Sequence, residues 1–274
     1  MNPLFSIVVP TLNEEKYLPK LLASLSEQTE RDFEVIISDG ASEDNTISLA
    51  KTFENKLPTL RIISSTKRGV SRQRNAGSMI ARGKWIVTTD ADTIFKPYCL
   101  SQVKRAINEK TYRHFASWFA PELDNPNDAL LTLLINAGME VSLKMKLPAA
   151  YGAFMVTQKA LFRQLKGFDE SLEFGEDNDL CRRAYKKTGE MMGILREGLV
   201  TYSLRRVHNH GFVKTLQLYA RASFVLLLTR RTPARLPGYV MGGHVYTEKE
   251  KKAWTLLLKD YEKTIKNFVK ELTK

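Results

Sequence analysis

Short apolar runs alternate with helically spaced leucines through the first third of the chain. Phe5-Ser6-Ile7-Val8-Val9 is a continuous apolar run closed by Pro10, the pattern of a strand buried on both faces. Leu18, Leu21, Leu22 and Leu25 then recur at the spacing of one helix face. The alternation repeats with a strand from Phe33 to Ile37, a helix from Asp44 to Glu54 and a strand from Leu60 to Ile63. A helix from Val70 to Arg82 and a strand from Trp85 to Thr89 follow. Strands separated by helices of about a dozen residues need crossover connections, which predicts an α/β fold with a doubly wound, mostly parallel sheet flanked by helices. Ligands of such sheets bind beyond the carboxyl ends of the strands. Three polar clusters sit at those ends: Thr11-Leu12-Asn13-Glu14, Asp39-Gly40-Ala41-Ser42 and Asp90-Ala91-Asp92.

The middle of the chain is less regular. Asp128 to Lys144 reads as a helix and Gly152 to Thr157 as a strand. Gly167-Phe168-Asp169-Glu170 reads as a turn, and Asp177 to Lys187 as a helix with Leu180 and Ala184 facing inward. Past Thr247, which opens a capping-box pattern with Glu250, eight apolar residues from Trp254 to Leu272 mark one face of a long amphipathic helix. That helix packs on the body, on a partner helix or on a membrane surface.

Composition narrows the class. With 43% hydrophobic and 26% charged residues among 274, the chain builds a core, which excludes disorder and coiled coil. Two cysteines, Cys99 and Cys181, make no disulfide framework and fit a reducing compartment. The N-terminus shows no signal-peptide pattern, and the longest apolar candidate, Phe212 to Thr229, is broken by Lys214, Gln217 and Arg221. A cytoplasmic protein, either soluble or peripheral on the inner face of the cell membrane, is the expectation.

Charge is uneven. The net charge is +12, yet residues 201–274 alone hold 15 Lys and Arg against 5 Asp and Glu. Thr201 to Thr247 contains no carboxylate at all. This tract either meets phosphate, lipid headgroups or nucleic acid, or is simply a solvated basic face. No stacking-aromatic or recognition-helix motif accompanies the charge, so nucleic acid is not the expected partner.

The candidate chemistry lies in carboxylates. Asp90 and Asp92, one residue apart at a strand end, suit a hard divalent cation, Mg²⁺ or Mn²⁺, shared with a substrate diphosphate; turn or cap aspartates look the same in sequence. Gly175-Glu176-Asp177-Asn178-Asp179 either caps a helix or brings a general base to a substrate hydroxyl. Asp39 either makes a turn or binds a nucleobase or ribose. His208 and His210 either complete a metal site or stand idle beside Arg205 and Arg206, which clamp phosphate.

Together these segments resemble the inverting family 2 glycosyltransferases, which have the GT-A fold. Val9-Pro10-Thr11-Leu12-Asn13-Glu14-Glu15 resembles their first signature and Ser38-Asp39-Gly40-Ala41-Ser42-Glu43-Asp44-Asn45-Thr46 their second. Arg74-Asn75-Ala76-Gly77, Asp90-Ala91-Asp92, Gly167-Phe168-Asp169-Glu170 and Gly175-Glu176-Asp177-Asn178-Asp179 follow in the family's order. The resemblance spans about residues 5–210 and implies a GT-A catalytic domain over 1–210. Its nucleotide-binding half would cover about 1–95 and its acceptor half about 96–210, with a basic helical extension over 211–274. It implies that Pro10, Thr11, Leu12 and Glu14 line the nucleotide pocket, that Asp39 contacts the base, and that Arg74 contacts the nucleotide. Asp90 and Ala91 would border the ribose and sugar, and Asp92 would ligate Mg²⁺ or Mn²⁺, joined by His208 or His210. Arg205 and Arg206 would face the diphosphate. Asp177 would be the general base, with Glu176 and Asp179 as substitutes.

The implied reaction moves one sugar from a UDP- or GDP-sugar, with inversion, to a glycan or lipid-linked acceptor hydroxyl or to a lipid phosphate. The Gln-x-x-Arg-Trp motif of processive members is missing, which favours single-sugar transfer. Peripheral contact with an anionic membrane through Phe212 to Met241 is the alternative to a lid-and-core role for that stretch. A sugar-1-phosphate nucleotidyltransferase would place a basic glycine-rich loop after the first strand, where this chain is acidic. A non-catalytic nucleotide-sugar or nucleic-acid binder is the remaining alternative.

Overall fold

The computed structural model describes residues 2–65, 68–110, 112–120 and 126–205, together with Gln217. The extension expected over 211–274, its amphipathic helix and the Phe212 to Met241 stretch otherwise lie outside the described residues. The described chain alternates β1 (Phe5–Thr11), α1 (Leu18–Ser26), β2 (Phe33–Asp39), α2 (Thr46–Lys51), β3 (Leu60–Ser64), α3 (Val70–Ile80) and β4 (Trp85–Thr89). It continues with β5 (Ile94–Phe95), α4 (Cys99–Glu109), β6 (His114–Ala120), α5 (Pro126–Lys144), β7 (Phe154–Gln158), α6 (Lys159–Gln164), α7 (Glu176–Thr188) and β8 (Gly193–Thr201).

One eight-stranded sheet runs in the order β3-β2-β1-β4-β7-β6-β8-β5. The run from β3 to β4 is parallel, as the crossover pattern requires. Beyond β4 the sheet is mixed: β7 lies antiparallel to both β4 and β6, β6 and β8 pair in parallel, and β5 runs against β8. The expected parallel bias therefore holds in the first half and gives way in the second. The cause is topological. Helix α5 leaves β6 at the carboxyl rim, and β7 begins at that same rim, with Phe154 paired to Thr89. Reversal of β7 thus brings the start of one strand beside the end of another, and the Tyr151-Gly152-Ala153 loop beside Asp90.

Apolar contacts fill both faces of this sheet. Ile7, Val8, Val9, Val35, Ile36, Ile37 and Val87 are fully buried and alternate between the faces, Val8 and Ile36 toward Gly77 of α3, in one core with Leu18, Leu21, Leu22 and Leu25 of α1. Helix α3 approaches β1 closely because position 77 lacks a side chain; a Cβ there would stand 2.5 Å from Val8 Cγ1. Gly77→Ala is expected to lower unfolding free energy by about 1–3 kcal/mol, the usual cost of overpacking, measured by urea denaturation. An unchanged midpoint would show that β1 yields there.

Three elements carry weaker sequence signals than the rest. Strand β8 is interrupted by exposed Arg196 and Glu197, and β6 mixes His114 and Ser117 into a buried run. Helix α4 buries Cys99, Leu100, Val103 and Ala106, an apolar face that is clear only once the helix is placed.

Candidate active site

The carboxyl ends of β1, β2 and β4, the start of β7 and the N-terminus of α7 meet along one rim. Thr11 and Asp39 are register partners at the ends of β1 and β2. Asp39 is buried and accepts hydrogen bonds from Thr11 Oγ1 at 3.1 Å, Ser42 N at 3.0 Å and Ser42 Oγ at 2.5 Å. Gln73 of α3 closes this corner, its Nε2 donating to the carbonyls of Thr11 at 2.6 Å and Ser38 at 3.1 Å. Pro10 is buried within β1, and Leu12 is partly exposed beyond it.

A second cluster forms around Arg205. Its Nη1 and Nη2 reach the Glu14 carboxylate at 2.9 and 2.7 Å, and its Nε lies 2.8 Å from Asp92 Oδ2. The guanidinium also stacks over Tyr17, 4.4 Å from the ring centroid. Burial pushes the Asp92 carboxyl up to about 6 against the pull of Arg205, with Asp90 and Glu14 adding like-charge repulsion. Burial raises Glu14 as well, again opposed by Arg205. Burial disfavours the Arg205 charge itself, but Glu14 and Asp92 outweigh that and hold it protonated.

The third cluster joins the two halves of the sheet. Arg74, only 2% exposed, donates from Nη2 to Asp90 Oδ1 and from Nη1 to Glu176 Oε1, both at 2.7 Å. Its guanidinium lies 5.3 Å from the Phe168 ring centroid. Above it sits Gly152, where a Cβ would meet Arg74 Nη2 at 2.4 Å. The Gly152 amide donates to Asp177 Oδ2 at 2.8 Å. The Asp177 carboxyl is pushed up to about 7, first by burial and then by Glu176, with Arg74 pulling it down.

Of the three carboxylates that open α7, two are committed to arginines: Glu176 to Arg74, and Asp179 to Arg183 at 2.6 Å. Among the described residues, Asp177 has backbone donors alone as hydrogen-bond partners, from Gly152 and Asn178. A carboxylate without a fixed counter-ion at hydrogen-bond distance, titrating near neutrality, is free to take a proton.

The sequence model of the family described as Glycosyl transferase family 2 matches residues 6–166, more than half of the chain. The chain belongs to this family. A PGL/p-HBAD biosynthesis glycosyltransferase of Mycobacterium bovis is 38% identical over 109 residues, which are 39% of this chain and 43% of that protein. The chain therefore spans less than half the length of this curated relative. An uncharacterized glycosyltransferase of Haemophilus influenzae is 27% identical over 64% of this chain and 60% of its own.

Among solved structures, mannosyltransferase PcManGT from Pyrobaculum calidifontis, in complex with GDP-Man and Mn²⁺, superposes with a TM-score of 0.65 at 20% identity. That superposition covers 85% of this chain and 66% of the other. S. aureus TarS 1-349 in complex with UDP gives 0.58 at 21%, over 73% and 60% of the two chains. At these identities the structural likeness shows the shared GT-A fold.

Within this family 2 chain, the matched stretch holds Thr11, Asp39, Arg74, Asp90 and Asp92 and ends before Asp177 and Arg205. The structure gathers Pro10, Thr11, Leu12, Glu14, Asp39, Asp90, Ala91, Asp92, Asp177 and Arg205 along one rim. Arg74, expected at the nucleotide, lies beneath that rim with its charge taken up by Asp90 and Glu176. Arg206, His208 and His210 lie outside the described residues. Gln73, Tyr17 and Gly152 were not foreseen; nothing in the local sequence marks Gly152, whose role depends on Arg74 passing beneath it.

Among the described residues, no three His, Cys, Asp or Glu side chains form a metal cage. A diphosphate-bridging Mg²⁺ or Mn²⁺ does not require one, since it takes one or two carboxylates and completes its shell with phosphates and water. Asp92 with Asp90 beside it, mutually repelling and supplied with hard oxygen donors, fits that demand.

Proposed function

We propose that this protein transfers a single sugar, with inversion, from a UDP- or GDP-linked donor to an acceptor hydroxyl. The observation that carries the reading is the pairing of Asp177 with the donor-side carboxylates. The Gly152 amide holds Asp177, and Arg74 ties its neighbour Glu176 to Asp90, which in this reading borders the donor. Support comes from the structural neighbours, which were solved with UDP-GlcNAc, with GDP-Man and Mn²⁺, and with UDP and Mn²⁺.

The reaction follows from the charges. Asp177 accepts the acceptor's hydroxyl proton as that oxygen attacks the anomeric carbon from the face opposite the leaving group. The bond between the anomeric carbon and the phosphate oxygen breaks, and the nucleoside diphosphate departs with the electron pair. One displacement inverts the anomeric centre. Asp92, with Asp90, would hold Mg²⁺ or Mn²⁺, which when bound neutralises charge on the departing diphosphate. Arg205 is the described cation at this end of the site and adds to that stabilisation. Asp39 and Thr11, at the ends of β1 and β2, would receive the nucleoside. An already anionic lipid phosphate as acceptor would need no base and would leave Asp177 a positioning role.

The test is thermal shift of the purified protein with UDP, GDP and their sugars, each with Mn²⁺, Mg²⁺ or EDTA. Stabilisation by one nucleotide series, lost in EDTA, is expected. In Asp92→Asn the Mn²⁺-dependent stabilisation is expected to vanish, leaving the variant in Mn²⁺ at the level the wild type shows in EDTA. A flat response of the wild type to every nucleotide would sink the enzyme reading and favour a non-catalytic role.

A further inference from the structure

Helix α5 is apolar on both sides, and the described residues cover only one of them. Its inner face buries Thr132, Asn136 and Met139, and Asn136 brackets the β6 backbone by accepting from Phe119 N and donating to Phe119 O, both at 3.0 Å. Its outer face carries Leu130 (54% exposed), Leu133 (58%), Leu134 (51%) and Val141 (53%), and the stripe runs on into Met145 (51%). Exposed Ala137 and Gly138 fill the gap between them. These positions recur every three or four residues and form one stripe. Among the described residues, five of the eight exposed large hydrophobic side chains belong to this stripe. Soluble monomers rarely leave so contiguous an apolar face open to water.

Charge selects what covers it. The stripe's own ionic neighbours are Lys144 and Lys146, both exposed. Among the described residues the carboxylates of this helix are buried or engaged: Asp128 is buried, and Glu140 at the flank is held by Arg196 at 2.8 and 3.0 Å. An apolar helix face edged by lysines matches the boundary between anionic headgroups and acyl chains. No helix among the described residues is long and apolar enough to cross a membrane, so the fitting geometry is a helix lying in the surface plane.

Position ties the stripe to the chemistry. Lys146 takes a left-handed conformation (φ 56°) that turns the chain out of α5, and the following loop delivers Gly152, whose amide holds Asp177. Gly152 follows Lys144 by eight positions, so the end of the stripe lies within about 28 Å of the loop that positions the base.

We propose that the outer face of α5 seats the protein on an anionic membrane and that the acceptor is a lipid-linked molecule presented there to Asp177. The acceptor half of this proposal rests on the glycosyltransferase reading above; the membrane half stands on the stripe itself. Leu133→Ser/Leu134→Ser/Val141→Ser changes only exposed positions, so the fold is retained. The probe is co-sedimentation of the full chain with vesicles of phosphatidylglycerol and phosphatidylcholine, against phosphatidylcholine alone. The wild type is expected to partition onto the anionic vesicles, and the triple variant at least about tenfold less.

A second measurement places the contact. Cys99 and Cys181 are buried, so an environment-sensitive thiol label reports the introduced cysteine of Leu134→Cys. Its emission should shift blue on addition of anionic vesicles, whereas a label on Met79→Cys, 77% exposed on α3, should not respond. Equal partition of the triple variant, or no partition of the wild type, overturns the proposal. So does a wild-type dimer, seen by light scattering, that the triple variant dissolves, because a second copy would then own the stripe. Loss of the UDP and Mn²⁺ thermal response with intact vesicle binding would remove the acceptor half alone.

Discussion

Asp177→Asn is expected to slow sugar transfer at least about a hundredfold while leaving UDP or GDP binding unchanged, since a positioned general base contributes about 10²–10⁴ in rate. The asparagine keeps the shape of the side chain and an oxygen for the Gly152 amide; it removes the ability to take a proton and gives up the bond that Oδ1 accepts from Asn178 N. Two pH measurements sharpen this. With the Asp177 carboxyl pushed up to about 7 by burial and Glu176, wild-type kcat/KM should fall as pH drops below about 7 and level off above it. Stability runs the other way. A carboxyl raised from 3.8 to about 7 on folding favours the native state fully below pH 3.8, and that contribution is lost as pH rises through about 7. The Asn variant should therefore gain thermal stability over wild type at pH 8, and the gain should shrink toward pH 4. A residue that costs stability and supplies rate is serving chemistry. A variant with normal turnover would take Asp177 out of the mechanism.

Arg74→Met is expected to destabilise the protein by about 3–5 kcal/mol, read from urea unfolding, because breaking a buried ion pair strands the remaining charges. Here both partners are stranded at once. Glu176 has a side chain 5% exposed and Asp90 one 33% exposed, and each loses a 2.7 Å bond. Arg74→Lys should recover only part of the loss, since an ammonium cannot reproduce the fork that reaches two carboxylates in opposite halves of the sheet. Activity should fall in both variants even at temperatures where they remain folded, because Glu176 neighbours the base and Asp90 neighbours Asp92. A cost under about 1 kcal/mol would mean that Asp90 and Glu176 find other partners.

The first half of the sheet was legible because its strands are short apolar runs, three of them ended by a polar cluster, and α1 shows its buried leucine spacing; α3, by contrast, buries Ser71, Gln73, Arg74, Gly77 and Ser78, a face no apolar period marks. Trp85 to Thr89 matches β4 residue for residue. The second half was harder for identifiable reasons. Exposed Arg196 and Glu197 cut β8 in two, and the antiparallel placement of β7 follows from where α5 ends, which periodicity does not encode. The site shows the same division. Its carboxylates announce themselves as Asp-x-Asp and Glu-Asp pairs, but their assignment depends on long-range partners. Glu176 and Asp177 are adjacent and chemically alike in sequence; only the arrival of Arg74 beside one of them tells them apart. Likewise, nothing near Arg205 in sequence reveals that it reaches back to Glu14, 191 positions earlier.

The Arg74 bridge also dictates an order of assembly during synthesis. Its bond to Glu176 spans 102 residues, which a ribosome takes about 5–20 s to add. Throughout that interval β1 to β4 and α3 exist, but the guanidinium destined for their interior lacks one of its two counter-charges. Burying it then would leave charge uncompensated, so the nucleotide half stays open around position 74 until the Glu-Asp segment emerges. Donor site and base consequently mature in one closing step, and a fragment ending before residue 176 should accumulate as a loosely packed, chaperone-dependent species.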